Sequence, residues 1–295
     1  MAQSTMRAIN PDDDLESLRF EPVTGCIGAD VVGLDMSTPL SPKLFAAISD
    51  ALVKYKVLFF RDQDITPEQH IAFARPFGEL DINPFAKNPG FQTDANYPEI
   101  VVIESTKDKF VAADTWHSDL SYKECPPLGS VLRCRITPKA GGDTVWADMA
   151  AAFEDLDDST RSLITGLTAL HDSSAFEPGL RANGADEAAI LERRRNNPAV
   201  EHPLVRTHPT SGEKILYVNG LFTKGIKGMK ESESRPLLER LFRQVANPDY
   251  QVRFRWRVNS IAFWDNRSTQ HRANRDFFPH HRRMDRVTIL GDRPF

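Results

Sequence analysis

The 295 residues include eight histidines, and one of them heads a His-x-Asp: His117-Ser118-Asp119, within TWHSDLSY. On a strand, residues i and i+2 point to the same side. That would let this imidazole and this carboxylate reach one ion. A distant histidine would complete a two-histidine, one-carboxylate set. Such a set fills three positions of an octahedral metal and leaves three neighbouring positions for co-substrate and oxygen. Taken alone, the motif also fits a surface His–Asp pair.

The third ligand has to come from His70, His171, His202, His208, His271, His280 or His281. His271 stands out because it follows the strand-like SIAFWDN, in WDNRSTQHRAN. His70 falls on an expected helix face, His208 in the turn-like THPTSGEK, and His280 and His281 beside Pro279 among arginines. Further on, Arg282 and Arg286 in HRRMDRVTILGD would share one strand face with Thr288. A guanidinium grips a carboxylate through two parallel hydrogen bonds and keeps its charge. One arginine could hold the far carboxylate of a dicarboxylic co-substrate, and the other the anionic end of a substrate. Both also fit a generic basic surface.

The elements that must position these groups follow from local patterning. SPKLFAAISDALVK, from Ser41, predicts a helix with an N-cap serine and proline at its first position. Thr66 is expected to cap a second helix, TPEQHIAFARPFG, ending near Pro76 and Gly78. VLFF (Val57–Phe60) reads as a buried strand and IVVIES (Ile100–Ser105) as another. PLVRTHP, KILYVN, YQVRFRW, SIAFWDN and RVTILG supply more strands towards the C-terminus. Residues 1–18 are expected to form a flexible arm, and 19–295 a single domain. Inserts or lids are expected at about 81–98 and about 150–200. The order lacks the β-α alternation of a doubly wound sheet. It predicts a mainly β fold with flanking helices: a double-stranded β-helix, or jelly-roll, core with a helical insert.

Bulk composition narrows the class. Net charge is −4, with 26% charged and 40% hydrophobic residues, so nothing pulls the chain towards nucleic acid or a membrane surface. Cys26, Cys125 and Cys134 are odd in number and have no CxxC spacing. They read as reduced thiols, and with no secretory-type leader in view the expected location is cytoplasmic.

Several longer blocks then carry a resemblance. VLFFRDQDITPEQHIAFARPFGEL, TWHSDLSY, AGGDTVWADMAAAFEDL, HPLVRTHPTSGEKILYVN, FWDNRSTQHRAN and HRRMDRVTILGDRPF occur in that order. With them the chain resembles the taurine dioxygenase / 2,4-dichlorophenoxyacetate dioxygenase (TauD/TfdA) family from about Gly25 to Phe295. The resemblance implies Fe(II) on His117, Asp119 and His271, with 2-oxoglutarate and O2 as co-substrates. It implies that Thr144 and Arg282 hold the co-substrate carboxylate and that Arg286 lies beside co-substrate and substrate. It assigns Asn83, Leu120, Phe176, Phe222 and Arg286 to the substrate pocket. Asn83, Ala86 and Ala113 stand where taurine-specific relatives carry polar and aromatic groups, so the resemblance implies a roomier, less polar pocket and a substrate other than taurine. The expected function is oxidation of a C–H bond in a small anionic molecule (a sulfonate, sulfate ester, aryloxy acid or other carboxylic acid), with release of succinate and CO2. The expected assembly is a homodimer or homotetramer. The competing readings are a zinc-type metallohydrolase and a non-catalytic metal-binding protein on the same fold.

Overall fold

The computed structural model describes residues 13–82, 91–182 and 184–295. Numbered along the chain, the strands begin with β1 (Arg19–Pro22), β2 (Ala29–Val32), β3 (Val57–Phe60), β4 (Phe91–Thr93), β5 (Ile100–Ser105), β6 (Gly129–Ile136), β7 (Thr144–Asp148) and β8 (Thr168–His171). They continue with β9 (Val200–Pro203), β10 (Val205–Thr207), β11 (Lys214–Leu216), β12 (Thr223–Ile226), β13 (Gln251–Phe254), β14 (Ile261–Asp265), β15 (Thr269–Ala273) and β16 (Arg282–Ile289). The helices are α1 (Asp13–Ser17), α2 (Pro42–Tyr55), α3 (Pro67–Ala74), α4 (Met149–Glu154), α5 (Asp158–Ile164), α6 (Glu177–Ala182), α7 (Glu187–Asn196) and α8 (Glu231–Gln244).

Eight strands form one sheet in the order β1-β2-β3-β14-β6-β16-β5-β4, antiparallel except for the β2–β3 pair. A second sheet, β13-β7-β15, faces it. The side-chain period of two explains why VLFF is apolar throughout. Val57 and Phe59 enter the layer between the sheets, with Trp146, Val252 and Phe254. Leu58 and Phe60 pack on the opposite side, against Leu44, Ile48 and Leu52 of α2 and Phe73 of α3. The same split divides β14, with Ala262 and Trp264 between the sheets and Ile261 and Phe263 towards the helices. A strand buried on both faces reads as a continuous apolar run.

Helices α2 and α3 form where their caps predict. Ser41 accepts from the Leu44 amide at 3.2 Å, and Thr66 and Gln69 close a reciprocal capping box. Removing the first hydroxyl by Ser41→Ala is expected to cost about 1 kcal/mol. A shifted urea midpoint with an unchanged slope would report that loss.

Of the segment expected as an arm, the description starts at residue 13. There α1 follows, and Leu15 and Leu18 lie against the α2 side of the core. The segment expected as an insert at about 150–200 contains α4 to α7 and β8. It belongs to a further apolar cluster that joins Ala147 and Met149 to Leu204, Leu216 and Leu238. No helix among the described residues is long and apolar enough to cross a membrane.

Candidate active site

Two strands from opposite sheets bring the chemistry together. β16 runs between β5 and β6, and its alternate residues Arg282, Met284 and Arg286 face the inter-sheet space. β15, opposite, presents His271 and Ala273 to the same space. These groups line a cavity of about 360 Å³.

The His-x-Asp does not reach this space by strand alternation, as the spacing had suggested. Only His117 pairs with a neighbour, in a single antiparallel bridge to His271. Asp119 and Leu120 lie in a turn, with Leu120 at φ +52°. The reason is Asn266. Its side-chain oxygen accepts from the Asp119 amide at 2.7 Å, and its side-chain nitrogen donates to the Asp119 carbonyl at 3.0 Å. One side-chain amide thus occupies the backbone groups that a neighbouring strand would use. Nothing in the His-x-Asp pattern reveals this clamp. The only hint is an asparagine five residues before His271, in WDNRSTQH.

His117 and His271 exchange two backbone hydrogen bonds, of 3.1 and 2.8 Å, and their ring centroids lie 4.4 Å apart. His117 Nδ1 donates to the Thr115 carbonyl at 2.7 Å, which turns Nε2 towards Asp119 Oδ1, 3.7 Å away. One donor atom from each of His117, Asp119 and His271 lies within 4.8 Å of the others. Asp119 Oδ2 and His271 Nδ1 are buried with no hydrogen-bond partner. Burial and the nearby His117 push the His271 imidazole down to about 3, so it stays neutral, as a metal ligand must. Burial also works against the Asp119 carboxylate, but Arg286, His271 and His117 outweigh it and hold the group below its usual range. Two imidazoles and one ionised carboxylate, converging and dry, fit a divalent iron.

The arginines play different parts. Arg286 Nη1 donates to Asp119 Oδ1 at 3.1 Å with both side chains buried, so it is tied to the putting-in-place of the triad carboxylate. Arg282 is 6% exposed, and among the described residues it has no carboxylate within ion-pair reach. Its Nε donates to the Gly142 carbonyl at 3.1 Å. Burial lowers its pKa to about 10, which still leaves it a cation at neutral pH. Thr144, also on the cavity wall, accepts from Trp256 Nε1 at 2.9 Å, so its own hydroxyl proton remains available.

The apolar wall comes from the turn after Asp119 and from the insert. Leu120, Phe176 and Phe222 meet there, with Phe176 and Phe222 ring centroids 5.6 Å apart. Ala113 also lines the cavity, whereas Asn83 and Ala86 lie outside the described residues. The other histidines are elsewhere. His70 is buried in α3 and donates to the Val131 carbonyl; His171 stacks on Tyr217, and His202 meets the same ring edge-on. His208 is bonded to Asp265 at 2.9 Å, and His280 and His281 are exposed.

The family model described as taurine catabolism dioxygenase TauD, TfdA family matches residues 19–288. An alpha-ketoglutarate-dependent sulfate ester dioxygenase of Pseudomonas putida is 36% identical, over 94% of this chain and 91% of its own. The alpha-ketoglutarate-dependent 2,4-dichlorophenoxyacetate dioxygenase of a Burkholderia species (strain RASC) is 33% identical, over 89% and 91%. Among solved structures, a taurine dioxygenase from Burkholderia xenovorans has a TM-score of 0.79 at 36% identity, covering 94% of this chain and 92% of that one.

Proposed function

The chain belongs to the taurine catabolism dioxygenase TauD, TfdA family, and from that premise we propose that its cavity oxidises a C–H bond of a small anion with an apolar body. It is an Fe(II)- and 2-oxoglutarate-dependent dioxygenase. The two facing sheets support reading the core as a double-stranded β-helix. The observation that carries the functional reading is the meeting, in one cavity, of a three-donor cluster and a buried arginine that has no carboxylate within ion-pair reach among the described residues. A buried cation calls for a counter-charge, and a dicarboxylate brings one. The hydrolytic and non-catalytic readings leave Arg282 unexplained.

In this reading His117, Asp119 and His271 would hold the iron. The chemistry supplied by the bound iron is activation of O2 coupled to decarboxylation of 2-oxoglutarate, so that a substrate C–H becomes C–OH while succinate and CO2 leave. The protein does the rest. Arg282 grips the far carboxylate of 2-oxoglutarate, and the Thr144 hydroxyl donates to the same group. Arg286 fixes Asp119 and lends positive charge to the part of the cavity that receives the substrate's acid. Trp264, at the His271 ring, and Leu120 and Phe222 keep water away from the reacting atoms.

Carbon lines most of the remaining wall, including Phe110, Val111, Leu180 and Leu221. Sulfate esters and aryloxy acids, the substrates in the names of the two enzyme relatives, combine an anion with such a body. Succinate release is expected to rise along a series of alkyl sulfates by roughly fourfold in kcat/KM for each methylene buried, at about 0.8 kcal/mol apiece. Taurine is expected to be the poorer substrate. A taurine rate equal to that of the best alkyl or aryl anion would remove the apolar-body assignment and leave the reaction class standing.

A further inference from the structure

Arg282 is seated by a short loop that does not itself reach the cavity. Its Nε is committed to the Gly142 carbonyl, which leaves the two terminal nitrogens of the planar fork to serve the cavity that Arg282 lines. Gly142 stands at φ +73°, where a side chain is strained. A Cβ there would come within 3.1 Å of Arg282 Cδ and 3.2 Å of its Nε. Any Cβ there would have to push the Arg282 side chain aside by a few tenths of an ångström, so the arginine lies directly on the glycine backbone.

The loop is gripped in turn from the segment between β15 and β16. Asp276 Oδ1 accepts from the Gly142 amide at 2.8 Å. The Asp143 carbonyl accepts from the Asn274 amide at 2.8 Å. Arg253, on β13, binds Asp143 Oδ2 at 2.7 Å and faces Asp276 Oδ2 at 3.7 Å. Phe277, next to Asp276, lies 5.6 Å beneath the Arg282 guanidinium. One peptide unit, Gly142, therefore has its amide held by Asp276 and its carbonyl held by Arg282.

We infer that Asp276 is a positioning residue for the co-substrate: through Gly142 it sets where Arg282 presents its guanidinium to the far carboxylate of 2-oxoglutarate. The inference rests on the reading that Arg282 holds that carboxylate. Neither Asp276 nor Gly142 lines the cavity, and the Asp276 side chain is half exposed, so its effect has to pass through the loop. What Gly142 needs is an acceptor rather than a charge. Asparagine supplies that acceptor and alanine does not.

The test compares Asp276→Ala, Asp276→Asn, Gly142→Ala and Arg282→Met. Calorimetric titration of Mn(II)-loaded protein with 2-oxoglutarate gives affinity without turnover. Succinate release by the Fe(II) enzyme gives KM for each substrate, and thermal unfolding checks the fold. Asp276→Ala and Gly142→Ala are expected to weaken 2-oxoglutarate binding by about 5- to 10-fold, the scale of one hydrogen bond. The KM for the substrate to be oxidised and kcat at saturating 2-oxoglutarate stay at the parent values, the melting temperature of Asp276→Ala falls by no more than the few degrees that one hydrogen bond is worth, and Asp276→Asn binds like the parent. Parent-like binding by Asp276→Ala beside weakened binding by Arg282→Met overturns the role of Asp276 alone. Parent-like binding by Arg282→Met overturns the reading of Arg282 on which it stands. A loss spread over both KM values, kcat and melting temperature marks Asp276 as merely structural and also overturns the inference.

Discussion

Asp119→Ala is expected to abolish succinate release and iron binding and, unlike loss of either histidine, to destabilise the folded protein as well. The carboxylate has two duties. It completes the donor cluster, and it is the partner of Arg286, with both side chains 8% exposed. Removing it leaves Arg286 charged, buried and unpaired. Breaking a buried pair from one side typically costs about 3–5 kcal/mol. For a chain of this size that is a fall of roughly 10 °C in melting temperature. His271→Ala removes a neutral ring and strands no charge, so it should lose metal and turnover with a much smaller change in melting temperature. The checks are metal content, succinate release and thermal unfolding measured together. If the two variants melt alike, the Arg286–Asp119 pair does not have the assigned weight.

Arg282→Met is expected to act in the opposite sense on stability. Among the described residues the parent buries this cation with no carboxylate in ion-pair reach, and exchanging a buried charge without a direct partner for an apolar side chain of similar length is often neutral or stabilising. In the absence of 2-oxoglutarate the variant should melt at or above the parent temperature. Function moves the other way. Losing a charged hydrogen bond to the co-substrate is worth about 1.5–3 kcal/mol, or roughly 10- to 100-fold in the 2-oxoglutarate needed for half-maximal rate. Succinate release over a range of 2-oxoglutarate concentrations measures it. A variant that is both less stable and unchanged in its co-substrate requirement would make Arg282 a structural residue.

The parts that sequence made legible are those with local causes. Ser41 and Thr66 announce their helices because a cap is written within four residues. VLFF announces a doubly buried strand because four apolar residues in a row suit nothing exposed. His117, Asp119 and His271 could be nominated by type and spacing, but not how they meet. The strand geometry expected for His-x-Asp gives way to a turn, because Asn266, 147 residues from Asp119, takes over its backbone partners. The bond between Arg286 and Asp119 spans 167 residues, and no period or motif encodes such a distance. The Asp276–Gly142 contact, across 134 residues, was hidden for the same reason. Two adjacent glycines in AGGDTVWAD mark a tight turn, but not the arginine lying on it.

Two reciprocal backbone hydrogen bonds join His117 to His271, so the polypeptide itself brings the two histidines side by side before any ion binds. The consequence concerns metal choice. A seat already cut to shape admits any divalent ion content with two imidazoles and a carboxylate, and its preference then follows the Irving–Williams order, where zinc and copper stand above iron. Selectivity for iron has no source in the spacing of this pair.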